Sequence, residues 1–219
     1  YTISDDDAAT ASSVVNVTIV GVNDGPVAAD DIGAAQEDGG VVTLTAATLL
    51  ANDTDVDTGD TLSIVAASQA MSGAVVSLIN GDVQYDLGSQ YQSLGAGQTT
   101  VDTFGYTIAD SAGAVSSANV VMTITGVNDA PVAAIPLTDQ IGTEGSAFSY
   151  QLPINAFADI DNGDILSYSA GLIDGTPLPD WLSFDATALQ FNSTLPDGAA
   201  GLWDVRVTAT DIAGASASS

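Results

Sequence analysis

The sequence has no cysteine and no histidine, and Arg206 is its only basic residue. Without cysteine the chain forms no disulfide bonds, and an exported protein of this kind needs another brace, such as bound metal. Without histidine, cysteine or lysine, a serine or threonine lacks the usual base that activates a nucleophile, so we do not expect an enzyme. The formal net charge of −27 excludes nucleic acid and anionic membrane surfaces as partners. No apolar run of roughly 18 residues is present, so no membrane insertion is predicted.

Negative charge is the most prominent feature of the composition. Of the 28 acidic residues all but two are aspartate, the exceptions being Glu37 and Glu144. Short aspartate side chains suit tight loops that surround a hard cation with oxygen ligands. A solvated acidic surface is the alternative, but it does not explain the scarcity of glutamate or the clustering of the acids. The 46% of apolar residues is enough for packed cores.

An internal repeat organises the chain. Residues 1–29 align without a gap to residues 106–134, with 17 of 29 positions identical. A third copy begins at residues 207–219, where Asp211 and Gly214 match Asp110 and Gly113. A period near 100 residues is typical of one β-sandwich per repeat.

Period-two alternation predicts strands throughout and almost no helix. Phe104, Tyr106 and Ile108 alternate with smaller or polar residues, and so do Val15, Val17 and Ile19 in the earlier copy. We therefore predict an all-β chain of tandem, immunoglobulin-like sandwiches. Its predicted units are the last hairpin of a first domain (residues 1–24), a complete second domain (residues 25–129), and a third domain that lacks its last strand (residues 130–219).

Two acidic loops carry the spacing expected of a cation site. Alternate loop residues can direct their side chains to one centre, and calcium takes six to eight oxygen ligands. Closely spaced carboxylates repel one another unless a cation lies among them. The loop of the second domain contains Asp53, Asp55, Asp57 and Asp60. The loop of the third domain contains Asp159, Asp161 and Asp164.

Several segments resemble known bacterial families. Residues 37–65 (EDGGVVTLTAATLLANDTDVDTGDTLSIV) and 102–133 (DTFGYTIADSAGAVSSANVVMTITGVNDAPVA) resemble cadherin-like repeats of the VCBS type. In the third domain, TEGSAFSYQLP, FADIDNGDILSYSA and LPDWLSFDATALQF resemble the dystroglycan-type cadherin-like domain. Such repeats are found in long secreted adhesins of the RTX type. The resemblance implies Greek-key sandwiches joined by calcium-binding linkers.

The cadherin resemblance also implies where each ligand belongs. Calcium in cadherins lies between successive domains and takes ligands from the base of one domain, the linker, and the top of the next. The linkers here are Asn23-Asp24 and Asn128-Asp129, although Asn-Asp is also common in ordinary turns. The first junction is expected to use Asn23, Asp24, Asp55, Asp57 and Asp110, with Asp53 and Asp60 assisting. The second is expected to use Glu37, Asp102, Asn128, Asp129, Asp159, Asp161, Asp164 and Asp211.

Two functions of different classes follow from these observations. The first is a calcium-stiffened stalk of a cell-surface adhesin, extracellular and of a Gram-negative bacterium, whose partners are neighbouring repeats of the same polypeptide. The second is a module whose third domain binds polysaccharide or another surface ligand, for which Trp181 and Trp203 are the candidate stacking residues. Trp181 also fits a core position. Repetition favours the stalk, whereas the change of domain type at residue 130 favours the binding module.

Overall fold

The computed structural model describes residues 1–219 and is almost entirely β-structure. It contains seventeen strands and one four-residue helix, α1 (Ala46–Leu49). The prediction of an all-β chain of tandem sandwiches is confirmed. No helix is long and apolar enough to cross a membrane.

The first residues form a hairpin of two short strands, β1 (Thr2–Ser4) and β2 (Thr10–Ser12). The strand predicted around Val15, Val17 and Ile19 is wrong for this chain, because residues 13–26 form no strand and these three side chains are exposed. The matching strand of the second domain lies between two others, and this segment finds no such partners here.

The second domain packs a four-stranded sheet on a three-stranded one. The first sheet has the order β3-β9-β8-β5 and the second β4-β7-β6. The strands are β3 (Asp31–Gln36), β4 (Val42–Leu44), β5 (Ser63–Ala67), β6 (Val75–Ile79), β7 (Asp82–Asp86), β8 (Thr99–Ala109) and β9 (Val115–Thr125). The predicted alternation is confirmed, because Phe104, Tyr106 and Ile108 are buried between the sheets.

The long β8–β9 hairpin sets the two ends of this domain. Its eleven paired positions run from Thr99 opposite Thr125 to Ala109 opposite Val115. Asp110 follows β8 directly and so lies at the end near the first linker. Strand β3 runs parallel to β9, so Glu37, which follows β3, lies beside Thr125 at the opposite end near the second linker.

The third domain is built from shorter strands around a smaller core. Its sheets have the orders β10-β12, β11-β15-β14 and β13-β16-β17. The strands are β10 (Val132–Ala133), β11 (Ala147–Gln151), β12 (Phe157–Ala158), β13 (Ser167–Leu172), β14 (Leu182–Asp185), β15 (Gln190–Thr194), β16 (Val205–Thr210) and β17 (Ser216–Ser218). Seven buried residues form its core, against sixteen in the second domain, and the two cores are separate. The domain boundaries themselves stay predictions.

Candidate metal centres at the domain junctions

Both linkers make the same pair of hydrogen bonds, one within the linker and one to the following domain. In the second linker, Nδ2 of Asn128 donates to Oδ2 of Asp211 at 2.9 Å and to the carbonyl of Asp129 at 2.8 Å. In the first linker, Nδ2 of Asn23 donates to Oδ2 of Asp110 at 2.9 Å and to the next carbonyl at 3.0 Å. The linker asparagine thus uses its amide group to hold the aspartate that ends the penultimate strand.

The linker aspartates contact the acidic loops in the same repeated way. The amide of Asp129 donates to Oδ2 of Asp161 at 2.9 Å, and the amide of Asp161 donates to Oδ1 of Asp159 at 3.0 Å. At the first junction the corresponding bonds run from Asp24 to Asp57 at 2.7 Å and from Asp57 to Asp55 at 2.9 Å. The two junctions therefore share one hydrogen-bond pattern, in which main-chain amides orient the carboxylates.

The hairpin aspartates are held in their ionised form. Asp110 and Asp211 are buried, and Oδ1 of each accepts amide hydrogen bonds within its own turn, from Ala112 and Ala114 in one case and from Ala215 in the other. The hydrogen bond from the linker asparagine, with these turn amides, lowers the pKa of both carboxyl groups.

The second junction also receives a carboxylate from the base of the second domain. Glu37 is 2% exposed, and its Oε1 accepts a hydrogen bond of 2.6 Å from the amide of Val127. One carboxylate oxygen each from Glu37, Asp129 and Asp161 lies within 4.8 Å of the others. Base, linker and top thus meet at one point, as the cadherin resemblance implied.

A second group of oxygens adjoins the first and shares Asp161 with it. Oxygens of Asp159, Asp161 and Asp164 also lie within 4.8 Å of one another. Burial, together with the neighbouring carboxylates, raises the pKa of Glu37, Asp129 and Asp164. In the absence of a cation these charges destabilise one another.

Unpartnered buried oxygens occur only at the junctions. Six buried side-chain oxygens in the chain make no hydrogen bond, and all belong to junction carboxylates. They are Glu37 Oε2, Asp55 Oδ2, Asp129 Oδ2, Asp159 Oδ2, Asp161 Oδ1 and Asp164 Oδ2. A buried, unpaired carboxylate oxygen is costly, so native proteins pair such atoms with donors or metal ions. The donor set contains only oxygen, which suits a hard cation such as Ca²⁺.

The first junction has a smaller group. Oxygens of Asp55, Asp60 and Asp110 lie within 4.8 Å of one another, and Asp60 also accepts a hydrogen bond from the hydroxyl of Ser111. Asp24 is exposed and lies outside this group. Asp53 is directed elsewhere, because its Oδ1 accepts hydrogen bonds from the Ala29 amide and the Tyr106 hydroxyl.

Asp102, expected at the second junction, lies away from it. Its side chain is 4% exposed and points into the second domain, where Oδ2 accepts hydrogen bonds from the hydroxyls of Ser72 at 2.5 Å and Tyr85 at 2.6 Å. Oδ1 accepts from the amides of Ser72 and Thr103. Burial raises the pKa of this carboxyl, but the hydrogen bonds outweigh burial and lower it overall. Asp102 therefore joins Ser72 and Tyr85 to β8 inside the second domain, with no oxygen directed to the junction.

Sequence reasoning missed four residues of the second junction. The charge of Asp38 contributes to the raised pKa of Glu37 and of Asp129. The carbonyl of Ser93 accepts a hydrogen bond from the amide of Asn162, and Nε2 of Gln98 donates to the carbonyl of Asn162. Asp38 adjoins Glu37 in sequence and could have been found by that proximity, whereas the other three are neutral loop residues without a local signal.

The two tryptophans of the third domain pack against each other. The rings of Trp181 and Trp203 lie edge to face, with centroids 5.3 Å apart. Trp181 packs against the core, which agrees with the core position that its sequence also fits. Trp203 is 44% exposed, and its indole N–H donates to the carbonyl of Ala199.

Known proteins resemble the chain in fold more than in sequence. Human CDH23 EC21-23 superimposes with a TM-score of 0.52 at 17% identity, covering 86% of this chain and 70% of that one. Mouse cadherin-23 EC22-24 gives 0.50 at 15% identity, covering 86% and 61%, and the protocadherin gammaB4 extracellular domain gives 0.50 at 18%, covering 98% and 37%. The chain thus spans less than two thirds of the last two structures. No curated protein sequence matches it.

Two family models match consecutive parts of the chain. Residues 23–126 match the "Bacterial cadherin-like domain" family. Residues 130–219 match the family described as "Putative Ig domain". Residues 23–126 are thus similar to a bacterial cadherin-like domain and residues 130–219 to an Ig-like domain, and the fold of the chain is similar to that of tandem cadherin domains.

Proposed function

We propose that this chain is a segment of an extracellular adhesin whose domain junctions are stiffened by calcium. The observation that carries the proposal is the meeting of Glu37, Asp129 and Asp161, each with a buried oxygen that has no partner. These three carboxylates come from the base of one domain, the linker, and the top of the next. A cation bound among them joins all three segments.

Calcium fits these residues better than other common metal ions. Zinc and copper sites use histidine or cysteine, and the chain has neither. Magnesium requires near-ideal octahedral geometry and keeps several waters, whereas calcium accepts irregular sets of six to eight oxygens. The shared Asp161 and the adjoining oxygens of Asp159 and Asp164 offer an irregular set of this kind.

The expected mechanical effect follows from the charges. Without a cation, the carboxylates of the two domains repel one another, and the domains separate about the linker. A cation that contacts both domains favours the aligned arrangement by its difference in affinity for the two arrangements. Binding to the folded chain also raises the melting temperature by mass action.

We propose a stalk of a long RTX-type adhesin on a Gram-negative surface as the setting, with adjoining repeats of the same polypeptide as partners. Tandem cadherin-like domains and the absence of cysteine support this role, because bound calcium replaces disulfide bonds as a brace. The finer resemblance to VCBS-type and dystroglycan-type repeats belongs to the same proposal. We do not expect catalysis, since the acidic loops recur at linkers, which suits a strut.

A polysaccharide- or surface-ligand-binding role for the third domain is the second candidate, favoured by the half-exposed ring of Trp203. Because Trp203 is already held by Trp181 and by Ala199, only one part of its surface is free for stacking on a sugar. A glycan array probed with this chain and with its Trp203→Ala variant tests the role. No glycan binding by either protein contradicts the role, and equal binding by both contradicts the part assigned to Trp203.

Calorimetry and small-angle scattering together test the stalk function. We expect calcium to bind at millimolar concentration or below, the range of extracellular calcium modules, and magnesium to bind more weakly. We expect the scattering profile to show a longer, less flexible particle with calcium than with chelator. No binding at millimolar calcium, or an unchanged maximum dimension, contradicts the proposal.

A further inference from the structure

The acidic loop of the third domain contains an asparagine–glycine pair, Asn162–Gly163. Asn162 is exposed, its side-chain amide makes no hydrogen bond, and the amide of Gly163 donates to no acceptor. Gly163 has φ of +96°, a left-handed conformation that a glycine adopts without strain. The side-chain carbonyl carbon of an asparagine and the backbone nitrogen of the next residue are the groups that join in succinimide formation. Both are free here.

The backbone of Asn162 is held from the other domain on both of its sides. Its amide donates to the carbonyl of Ser93 at 2.9 Å, and its carbonyl accepts from Nε2 of Gln98 at 3.0 Å. We call these two hydrogen bonds the clasp. Ser93 and Gln98 belong to the loop before β8, so the clasp joins the second domain directly to the third without a cation.

We propose that Asn162–Gly163 is a site of spontaneous deamidation and that the clasp slows the reaction. The nitrogen of Gly163 attacks Cγ of Asn162, a new N–Cγ bond forms, and the bond from Cγ to the amide nitrogen breaks. Ammonia leaves with the proton that the glycine nitrogen loses. Water then opens the ring at either carbonyl, giving aspartate or isoaspartate with no change in oxidation state.

The clasp opposes this reaction for a geometric reason. Ring closure requires the peptide group between Asn162 and Gly163 to rotate so that its nitrogen approaches Cγ. The carbonyl oxygen of that same peptide group is the atom that Gln98 holds. The peptide therefore rotates freely only after the clasp has opened.

The product changes the junction. Isoaspartate places an extra carbon in the main chain at residue 162, so the Ser93 and Gln98 contacts lose their native spacing. Either product adds a carboxylate between Asp161 and Asp164, whose charges already repel. Any effect of this change on calcium rests on the proposed function, whereas the deamidation reaction does not.

The chain contains an internal reference for the rate. Asn80–Gly81 forms the turn between β6 and β7, with φ of +54° and +92°; Asn80 is exposed and Gly81 is partly buried. No hydrogen bond links Asn80 to the third domain. Its rate therefore reports on solution conditions and not on the junction.

The test is an ageing experiment in metal-free, mildly alkaline buffer, so that its result does not depend on cation binding. The chain, its Gln98→Ala variant and an Asn162→Gln control are incubated and sampled over time. Peptide mapping by mass spectrometry then follows the amide-to-acid mass gain at each asparagine, and labelling by isoaspartyl methyltransferase identifies isoaspartate.

We expect modification at Asn162 to be roughly fivefold faster in Gln98→Ala, the factor that corresponds to losing one hydrogen bond. The Asn80 rate should be the same in all three proteins, and the label at position 162 should be absent from Asn162→Gln. If Asn162 stays unmodified in the Gln98→Ala variant after Asn80 has deamidated, the proposal that Asn162 is a deamidation site is wrong. Equal rates at Asn162 in the parent and in Gln98→Ala overturn the role of the clasp.

Discussion

The amide of Val127 donates a hydrogen bond of 2.6 Å to Oε1 of Glu37, while Oε2 of the same side chain has no partner. One oxygen of the glutamate thus fixes the start of the second linker, and the other faces Asp129 and Asp161. Glu144 occupies the matching position in the third domain, where its Oε1 accepts from the amides of Gly198 and Ala200. Each glutamate thus accepts main-chain amides with Oε1, but Glu37 is buried and holds the linker, whereas Glu144 is exposed and holds the loop before β16.

Replacing Glu37 by glutamine tests the free oxygen. We expect Glu37→Gln to weaken calcium binding at the second junction by about tenfold, or ~1.4 kcal/mol, because an amide is a poorer ligand for a hard cation than a carboxylate. Calorimetry measures the change. Glu144→Gln is the matched control, since it removes the same charge at the equivalent position far from this junction. Equal weakening by both changes would attribute the effect to overall charge and exclude Glu37 as a ligand.

The Tyr85–Asp102 hydrogen bond should contribute to stability and not to cation binding. Tyr85→Phe leaves a buried carboxylate without one of its donors, which costs about 1–3 kcal/mol of unfolding free energy. Denaturant unfolding measures the loss. Tyr150→Phe is the control, because Tyr150 packs against the core of the third domain and its hydroxyl makes no hydrogen bond. Calcium affinity should be unchanged by Tyr85→Phe. A lower affinity would indicate that Asp102 is a calcium ligand after all.

The same period-two alternation that predicted β8 also indicates on which face of the strand the side chain of Asp102 lies. Asp102, Phe104, Tyr106 and Ile108 share one parity along the strand, so the aspartate faces inward with the aromatic core. The cadherin resemblance placed it at the base of the domain and overrode that signal. Repeat spacing and the Asp-x-Asp pattern singled out the residues of the linkers and acidic loops, and the cadherin resemblance implied that these distant segments meet.

Contacts between distant neutral groups were beyond sequence reasoning. Nothing local in the sequence relates Ser93 or Gln98 to Asn162, since their meeting depends on how the two domains are placed. The strand predicted at Val15 failed for a related reason. A period-two pattern shows that a segment can bury one face, but only a partner sheet makes it do so.

The two acidic loops should act independently. We expect Asp159→Asn combined with Asp161→Asn to abolish the calcium-dependent alignment of the second and third domains in small-angle scattering, while the first junction stays responsive. The change removes charge from both oxygen groups of the second junction. Asp55→Asn combined with Asp57→Asn is the matched control at the first junction and should leave the second junction responsive to calcium. A full calcium response in the Asp159/Asp161 variant would show that its loop does not bind the ion.

The last prediction concerns the pH dependence of the calcium-free chain. Glu37, Asp129 and Asp164 have raised pKa values, so the folded chain holds their protons more tightly than the unfolded chain does. Their effect is that stability falls as pH rises from the ordinary carboxyl pKa, about 4, through the raised values. Asp102 and Asp211 have lowered pKa values, and they remove stability as pH falls below about 4.

These opposite contributions predict a stability maximum near pH 4 without calcium. Calcium binds only the ionised carboxylates. Its binding therefore reverses the effect of the groups with raised pKa values and moves the stability maximum toward neutral pH. Melting temperatures measured across pH, in metal-free buffer and with calcium, test both statements. Asp129→Asn should reduce the fall in metal-free stability between pH 4 and neutrality, because it removes one of the groups that must ionise beside Glu37 and Asp161. A metal-free melting temperature that rises steadily to neutral pH would contradict the repulsion from which the stiffening mechanism follows.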